Sequence, residues 1–271
     1  MKLSVVIPAR NEAGNIGVTV DKLRQRLSQA DIPYEIVVVD DGSQDATAEE
    51  VEQLAAIDMG IRLVHNTGRH GFGHAVRCGL DCFTGDVVVI AMADNSDDPE
   101  DIVTYYSILR DKADCAFGSR WIRGGSAEDY PRFKRVVNRM ANTFIRLLFG
   151  LRYNDITNAC KGYRRCVIDG CRPFLSAHFN LTVEIPLKAI VRGYSYAVAP
   201  ISWRNRQIGT SSLRLEEMGS RYLYIVLNVW LERLLTYGDY RRPANELFTP
   251  WVAEHDGGAR TTNQPPQLTP Q

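Results

Sequence analysis

Short apolar runs that end in carboxylates organise the first half of this chain. Leu3–Ile7, Glu35–Val39, Ile61–His65, Val87–Met92 and Cys115–Gly118 read as strands. Ile36–Val39 and Val87–Met92 show no alternation of polar and apolar positions, the mark of a parallel strand covered on both faces. Between them, Ile16, Val20, Leu23 and Leu27 fall on one helical face. Asp45 is placed to cap a helix carrying Val51, Leu54 and Ala55, and Phe72, Ala75, Val76, Leu80 and Phe83 mark another. The β-α-β-α rhythm predicts a doubly wound, mainly parallel sheet.

The second half changes character. Phe133, Val136, Val137, Met140, Ala141, Phe144, Ile145 and Leu148 trace a long amphipathic helix that stops at Gly150. A strand is expected over Tyr194–Ile201, then a polar loop over Arg204–Ser212, then a helix over Glu216–Tyr237. The last residues are rich in Pro, Gln, Thr and Gly and are expected to be disordered. The division that follows is a catalytic unit over 1–215, an amphipathic helix over 216–240 and a tail over 241–271.

Composition removes several function classes. Lys plus Arg and Asp plus Glu both number 32 in 271 residues, so no overall basic field exists to attract nucleic acid. None of the six cysteines forms a Cys-x-x-Cys pair, and several sit in apolar stretches, so free thiols in a reducing compartment are expected. The start of the chain reads as a strand and not as a signal sequence. Tyr222–Leu235 is apolar but interrupted by Asn228, Glu232 and Arg233, and a span needs about 20 apolar residues, so it does not cross a membrane. A cytoplasmic protein is expected.

The candidate chemistry sits where strands end. Pro8-Ala-Arg-Asn-Glu12 closes the first strand, and Asp40-Asp41-Gly42-Ser43 closes the second. Carboxylates there can accept from ring N–H groups and sugar hydroxyls, although Asp41-Gly42-Ser43 also reads as a tight turn. Gly68, Gly71 and Gly73 follow the third strand, with Arg69 among them as a phosphate contact; the bland alternative is a glycine turn. Asp94-Asn-Ser-Asp-Asp98 is the metal candidate, with Asp94 and Asp97 as the carboxylates. Asp98-Pro99-Glu100-Asp101 explains itself as a helix start: N-cap, proline at N1, then acids at the positive dipole end.

These segments, in this order, resemble the donor half of a glycosyltransferase family 2 enzyme. The later segments Gly118-Ser-Arg-Trp-Ile-Arg-Gly-Gly125, Asp155-Ile-Thr-Asn-Ala-Cys-Lys-Gly-Tyr-Arg164, Glu184 with Lys188-Ala189, and Arg206-Gln-Ile-Gly-Thr-Ser211 are similar to its dolichyl-phosphate mannosyltransferase, or polyprenyl-phosphate glycosyltransferase, branch. The resemblance spans roughly residues 3–215. It implies a GT-A fold: a Rossmann-like, mainly parallel α/β sheet flanked by helices, here with a C-terminal amphipathic helix. It also implies roles. Pro8, Ala9, Asn11, Glu12 and Asp40 would line the nucleotide pocket. Asp94 would hold Mg²⁺ or Mn²⁺ against the diphosphate, and Ser119, Arg120 and Lys134 would meet an acceptor phosphate. Arg206 would close over the donor, which makes Asp94, Arg120 and Arg206 the catalytic set. Two positions depart from the branch: Met92 stands at the first Asp of Asp-x-Asp, and Ser212 stands where a Lys is common.

Transfer from a nucleoside diphosphate-sugar develops an oxocarbenium-like sugar and negative charge on the leaving diphosphate, which a metal and an arginine stabilise. A hydroxyl acceptor needs a general base, whereas a phosphate is already an anion. Arg120, Arg123, Lys134 and Arg135 surround the expected acceptor region, which favours a lipid phosphate. The C-terminal helix would then lie on the cytoplasmic face of a membrane, or pack on the sheet or on a second subunit. The rivals are a soluble transferase acting on a glycan or small-molecule hydroxyl, a catalytically weak sugar-nucleotide-binding protein, and a nucleotidyltransferase. Pro8-Ala-Arg-Asn-Glu12 counts against the last, which wants a Gly-rich loop there.

Overall fold

The apolar runs do become strands, and they do so side by side. In the computed structural model, which describes residues 1–204, 215–243 and 248–250, the elements run β1 (Leu3–Ala9), α1 (Ile16–Gln29), β2 (Tyr34–Asp40), α2 (Thr47–Ala55), β3 (Ile61–His65), α3 (Phe72–Cys82) and β4 (Val87–Ile90). There follow α4 (Pro99–Asp111), β5 (Cys115–Ser119), β6 (Ser126–Glu128), α5 (Arg132–Phe149), β7 (Lys161–Arg164) and α6 (Arg165–Cys171). The chain continues through α7 (Leu181–Val191), β8 (Tyr196–Pro200), β9 (Ser202–Arg204) and α8 (Leu215–Leu235). Seven strands form one sheet in the order β3-β2-β1-β4-β7-β5-β8, and β6 pairs with β9 in a small second sheet. All pairings in the main sheet are parallel except those of β7 with β4 and β5.

That order sets the site. The chain winds outward from β1 through β2 to β3, then returns to the other side of β1 as β4, so the crevice at the strand ends opens between β1 and β4. β7, running the opposite way, begins at Lys161 opposite Ile90 and Phe117, which brings the preceding segment 155–160 to the same end of the sheet. Apolar cores cover both faces: α1, α2 and α4 pack on one, α3, α6, α7 and α8 on the other.

Several local expectations hold. Asp98 accepts from Glu100 N–H at 2.9 Å as the N-cap of α4, and Gly150 ends α5 in the left-handed conformation, φ 66°. Others shift. Ala46, not Asp45, occupies the cap position of α2; Asp45 instead takes the Thr47 N–H and reaches back to Ala13 N–H, pinning this helix to the loop after β1. β4 is shorter than the apolar run, because Met92 leaves the ladder and donates its N–H to Asp97 at 2.9 Å. β7 had no apolar run to reveal it, since its sequence is Lys-Gly-Tyr-Arg. α7 is buried on nearly every side and contains Pro186, so the one-sided stripe that marks a surface helix is missing.

The glycines of the loop before α3 answer to packing. A Cβ on Gly73 would lie 2.6 Å from the Ala177 and Ser176 backbone, so the close approach there is to the chain itself. Within α3, a Cβ on Gly79 would fall 2.4 Å from Val6 Cγ1 and 3.1 Å from Val39 Cγ2. Gly79→Ala should therefore push α3 off β1 and cost about 1–3 kcal/mol in urea unfolding, the usual penalty of overpacking. Unchanged stability would mean that α3 is not seated on the sheet in this way.

Candidate active site

The loops after β1 and β2 are laced together. Ala9 stands opposite Asp40, and Asp41 N–H returns a bond to Ala9 O at 2.8 Å. Asn11 takes a left-handed turn, φ 54°, and its Oδ1 accepts from Gln44 N–H at 2.8 Å. Glu12 N–H donates to Thr47 Oγ1 at 2.9 Å. Pro8, Ala9, Asn11, Glu12 and Asp40 thus gather at one edge of the crevice. Asp40 is buried, which disfavours its charge, but hydrogen bonds from Ser43 and His65 outweigh burial and hold its pKa below the usual range. Asp41, read from sequence only as part of a turn, is a hub: it accepts from Asn66 at 2.6 Å and Gly71 N–H at 2.7 Å, with His70 at 3.3 Å. Arg69 lines an open pocket of about 680 Å³ with Asn66, His74, Arg77 and Arg172 on the flank of α3.

Asp94 and Asp97 stand just past β4, next to the end of β1, where Ala91 N–H still bonds Val6 O. Asp94 is buried and caps Ser96 N–H at 3.2 Å. Burial raises the Asp97 pKa to about 7, opposed by the Met92 N–H and reinforced by the charge of Asp94. No group of three His, Cys, Asp or Glu side chains able to hold a metal occurs among the described residues. Two neighbouring carboxylates still fit Mg²⁺ or Mn²⁺, which commonly take one or two carboxylates and complete their shell with substrate phosphates and water.

On the far side of β7 the picture differs from the expectation for an acceptor-binding pair. Ser119 is wholly buried; its hydroxyl donates to Asn154 Oδ1 at 2.6 Å and accepts Trp121 N–H at 3.1 Å. Arg120 is buried against Asp155, with Nε to Oδ2 at 2.8 Å and Nη2 to Oδ1 at 2.7 Å, while its own N–H also meets Oδ2 at 3.0 Å. Burial opposes the charge, but the Asp155 hydrogen bonds prevail and raise the Arg120 pKa. One edge of the Arg120 guanidinium is therefore already taken by a carboxylate. Trp121, Tyr130 and Trp203 surround the guanidinium at 5.4–5.9 Å, a cage assembled from the loops on either side of β6 and from β9. Lys134 is exposed on the first turn of α5. Nearby, Lys161 is fully buried and donates to the carbonyls of Ile156, Asn158 and Thr182; burial lowers its pKa to about 7. Arg206 lies outside the described residues.

Comparison with known proteins gives the family and the fold. The model of glycosyl transferase family 2 matches residues 4–171. The chain belongs to that family. Among curated family relatives, the polyprenol monophosphomannose synthase of Mycolicibacterium smegmatis is 32% identical over 215 residues, covering 77% of this chain and 80% of the relative. The dolichol-phosphate mannosyltransferase of Pyrococcus furiosus is 31% identical over 220 residues, 79% of this chain but 60% of that longer protein. Mycobacterium tuberculosis glucosyl-3-phosphoglycerate synthase, crystallised with Mn²⁺, UDP and phosphoglyceric acid, superposes with a TM-score of 0.63 at 22% identity, covering 86% of this chain and 78% of that one. The fold is GT-A, and the protein is a glycosyltransferase.

The buried pair of this family 2 enzyme should be unforgiving. Asp155→Asn leaves the Arg120 charge unmatched in a dry site and should cost about 3–5 kcal/mol of stability. Replacing both partners with Met and Leu should cost clearly less than the single change, because no charge is stranded. Urea unfolding of the three variants measures this, and a harmless Asp155→Asn would show the pair to be solvated.

Proposed function

We propose that this glycosyltransferase moves mannose, or a closely related sugar, from a nucleoside diphosphate donor to a polyprenyl-type lipid phosphate. The observation that carries the reading is the division of charge at one end of the sheet. Carboxylates cluster at the ends of β1, β2 and β4, while arginines cluster beyond β7. Two carboxylates beside those arginines are engaged, Asp155 by Arg120 and Glu128 by Arg204 at 2.9 Å. An acceptor that needs no base suits such a place. The relatives' names, polyprenol monophosphomannose synthase and undecaprenyl-phosphate mannosyltransferase among them, support the acceptor class and the sugar.

On this reading Asp40, with Pro8, Ala9, Asn11 and Glu12, holds the nucleoside. Asp94, with Asp97, holds Mg²⁺ or Mn²⁺; when bound, the ion offsets the charge that builds on the departing diphosphate. Arg206, in the segment after β9, would approach the same diphosphate. The acceptor oxygen attacks from the side of β5 opposite the leaving group, with inversion, and the protein's task is to align it. GDP-mannose and UDP-sugars both remain donors to test.

The catalytic unit over 1–215 would work at a membrane surface, which the helix at 216–240 helps it reach from the cytoplasmic face. No helix of the described residues is long and apolar enough to cross a membrane. Yet α8 exposes Leu223, Leu227, Leu231, Leu234 and Leu235, and α5 exposes Phe133, Val136, Met140, Phe144 and Leu147. α5 carries Arg132, Lys134, Arg135, Arg139 and Arg146 and no acid. On α5 that apolar surface is edged by cations alone, which suits an anionic lipid interface.

One incubation tests the whole reading. Labelled GDP-mannose or UDP-sugar is mixed with the protein and anionic vesicles carrying polyprenyl phosphate. Label should move into the organic phase, depend on Mg²⁺ or Mn²⁺, and fall at least tenfold in Asp94→Ala, while the protein sediments with the vesicles. Label that stays aqueous while a sugar hydroxyl is glycosylated would overturn the lipid-phosphate acceptor.

A further inference from the structure

The pocket on the flank of α3 is basic, and apart from Arg69 none of its cations has a role in the transfer proposed above. Four side chains that carry or can carry positive charge, Arg69, His74, Arg77 and Arg172, line its 680 Å³ opening. The lining holds one carboxylate, Asp81, which pairs with Arg172 at 2.7 Å. Arg69 and Arg77 have no carboxylate partner among the described residues. Arg77 is half-buried and clamped in place: Nη1 donates to Phe174 O and Nη2 to His74 Nδ1, both at 2.8 Å. A guanidinium can only donate, so His74 Nδ1 presents its lone pair, and the neutral ring keeps its proton on Nε2. Burial, and then the charges of Arg77, His178 and Arg69, hold the His74 pKa below its ordinary value, against a smaller pull from Asp41. Like charges gathered in one opening repel one another until an anion joins them.

We infer that this pocket is a further binding site, for a small organic phosphate. The phosphate group sits among Arg69, Arg77 and the His74 Nε2–H, and the organic body lies against Cys78, Cys82 and Pro173. Two guanidinium forks and a ring N–H match the several oxygens of a phosphate monoester. The spacing along the helix supports the division between charged and uncharged parts. His74, Cys78 and Cys82 follow one another at four-residue intervals and so share one face of α3. Burial raises the pKa of both thiols, so they stay protonated and give the pocket an uncharged wall beside its cations. The opening is of the size that takes a metabolite and not a single ion. Inorganic phosphate would meet the cations and leave the wall bare, whereas an ester covers both.

The test is titration of the full-length chain with phenyl phosphate and with inorganic phosphate, followed by NMR of the histidine rings, with the His74 signal assigned by its loss in His74→Gln. Phenyl phosphate should bind several-fold tighter than inorganic phosphate, because its ring covers the wall. His74 should titrate at a higher pH when phenyl phosphate is bound, since a neighbouring anion favours the imidazolium. Arg77→Gln should weaken phenyl phosphate about tenfold through the loss of one charge-assisted contact, with GDP and UDP binding unchanged. Asp81→Asn removes the carboxylate and frees Arg172, so it should tighten phenyl phosphate about threefold. A gain of affinity cannot come from a variant that fails to fold. Equal affinity for the two phosphates supports the anion site and overturns the organic body. Affinity unmoved in both Arg77→Gln and Asp81→Asn overturns the site, as does binding to which His74 does not respond. Displacement of phenyl phosphate by saturating GDP or UDP also overturns it, since the phosphate would then be occupying the donor's place.

Discussion

The bond between Arg120 and Asp155 anchors the region beyond β7. Asp155 is fully buried, and both its oxygens are used by the main chain and side chain of one arginine. Around it the loop after β5 is fastened to the segment before β7: Tyr153 hydroxyl reaches Gly118 O at 2.9 Å, and Ser119 reaches Asn154. A buried pair of this kind is weak evidence for stability, since burial costs each ion several kcal/mol. Its value is geometric. It neutralises a cation buried just past the end of β5.

The two halves of the site are joined physically as well as by proximity. β9 runs beside the metal segment: Arg204 N–H donates to Ser96 O at 3.2 Å, Trp203 bridges to Asp97, and Ser202 N–H donates to Asp101 at 3.0 Å. Trp203 is also one wall of the Arg120 cage, and β9 pairs with β6 in the loop that carries Tyr130 towards α5. The segment after β4 and the Arg120 cage are thus linked through packed aromatics and a short ladder.

The donor half was legible because its signals are local. Each strand there is a contiguous apolar run, and each carboxylate follows its strand within a few residues, so order and spacing carry the information. The acceptor half was not. Arg120 and Asp155 are distant in sequence, and the cage takes two aromatics from the loops on either side of β6 and one from β9, a convergence no local pattern encodes. The long helix shows a different limit. Its periodicity announces an apolar stripe without saying that the stripe faces outward. The inward side holds Ile145 and Phe149 with Asn142, whose amide is satisfied by Asn138 and Thr157. Amphipathicity predicts two faces, and only the fold says which one meets the protein.

On the proposed reading the metal sits on Asp94, at the crevice between β1 and β4, and the acceptor phosphate enters beyond β7, where the cations of the loop after β5 and of α5 gather. A crystal structure with Mn²⁺, GDP or UDP, and geranyl phosphate reads this directly. The anomalous signal of manganese should sit on the Asp94 carboxylate, and the geranyl phosphorus should lie among those cations beyond β7. Manganese elsewhere, or a geranyl phosphate bound away from those cations, would contradict the account.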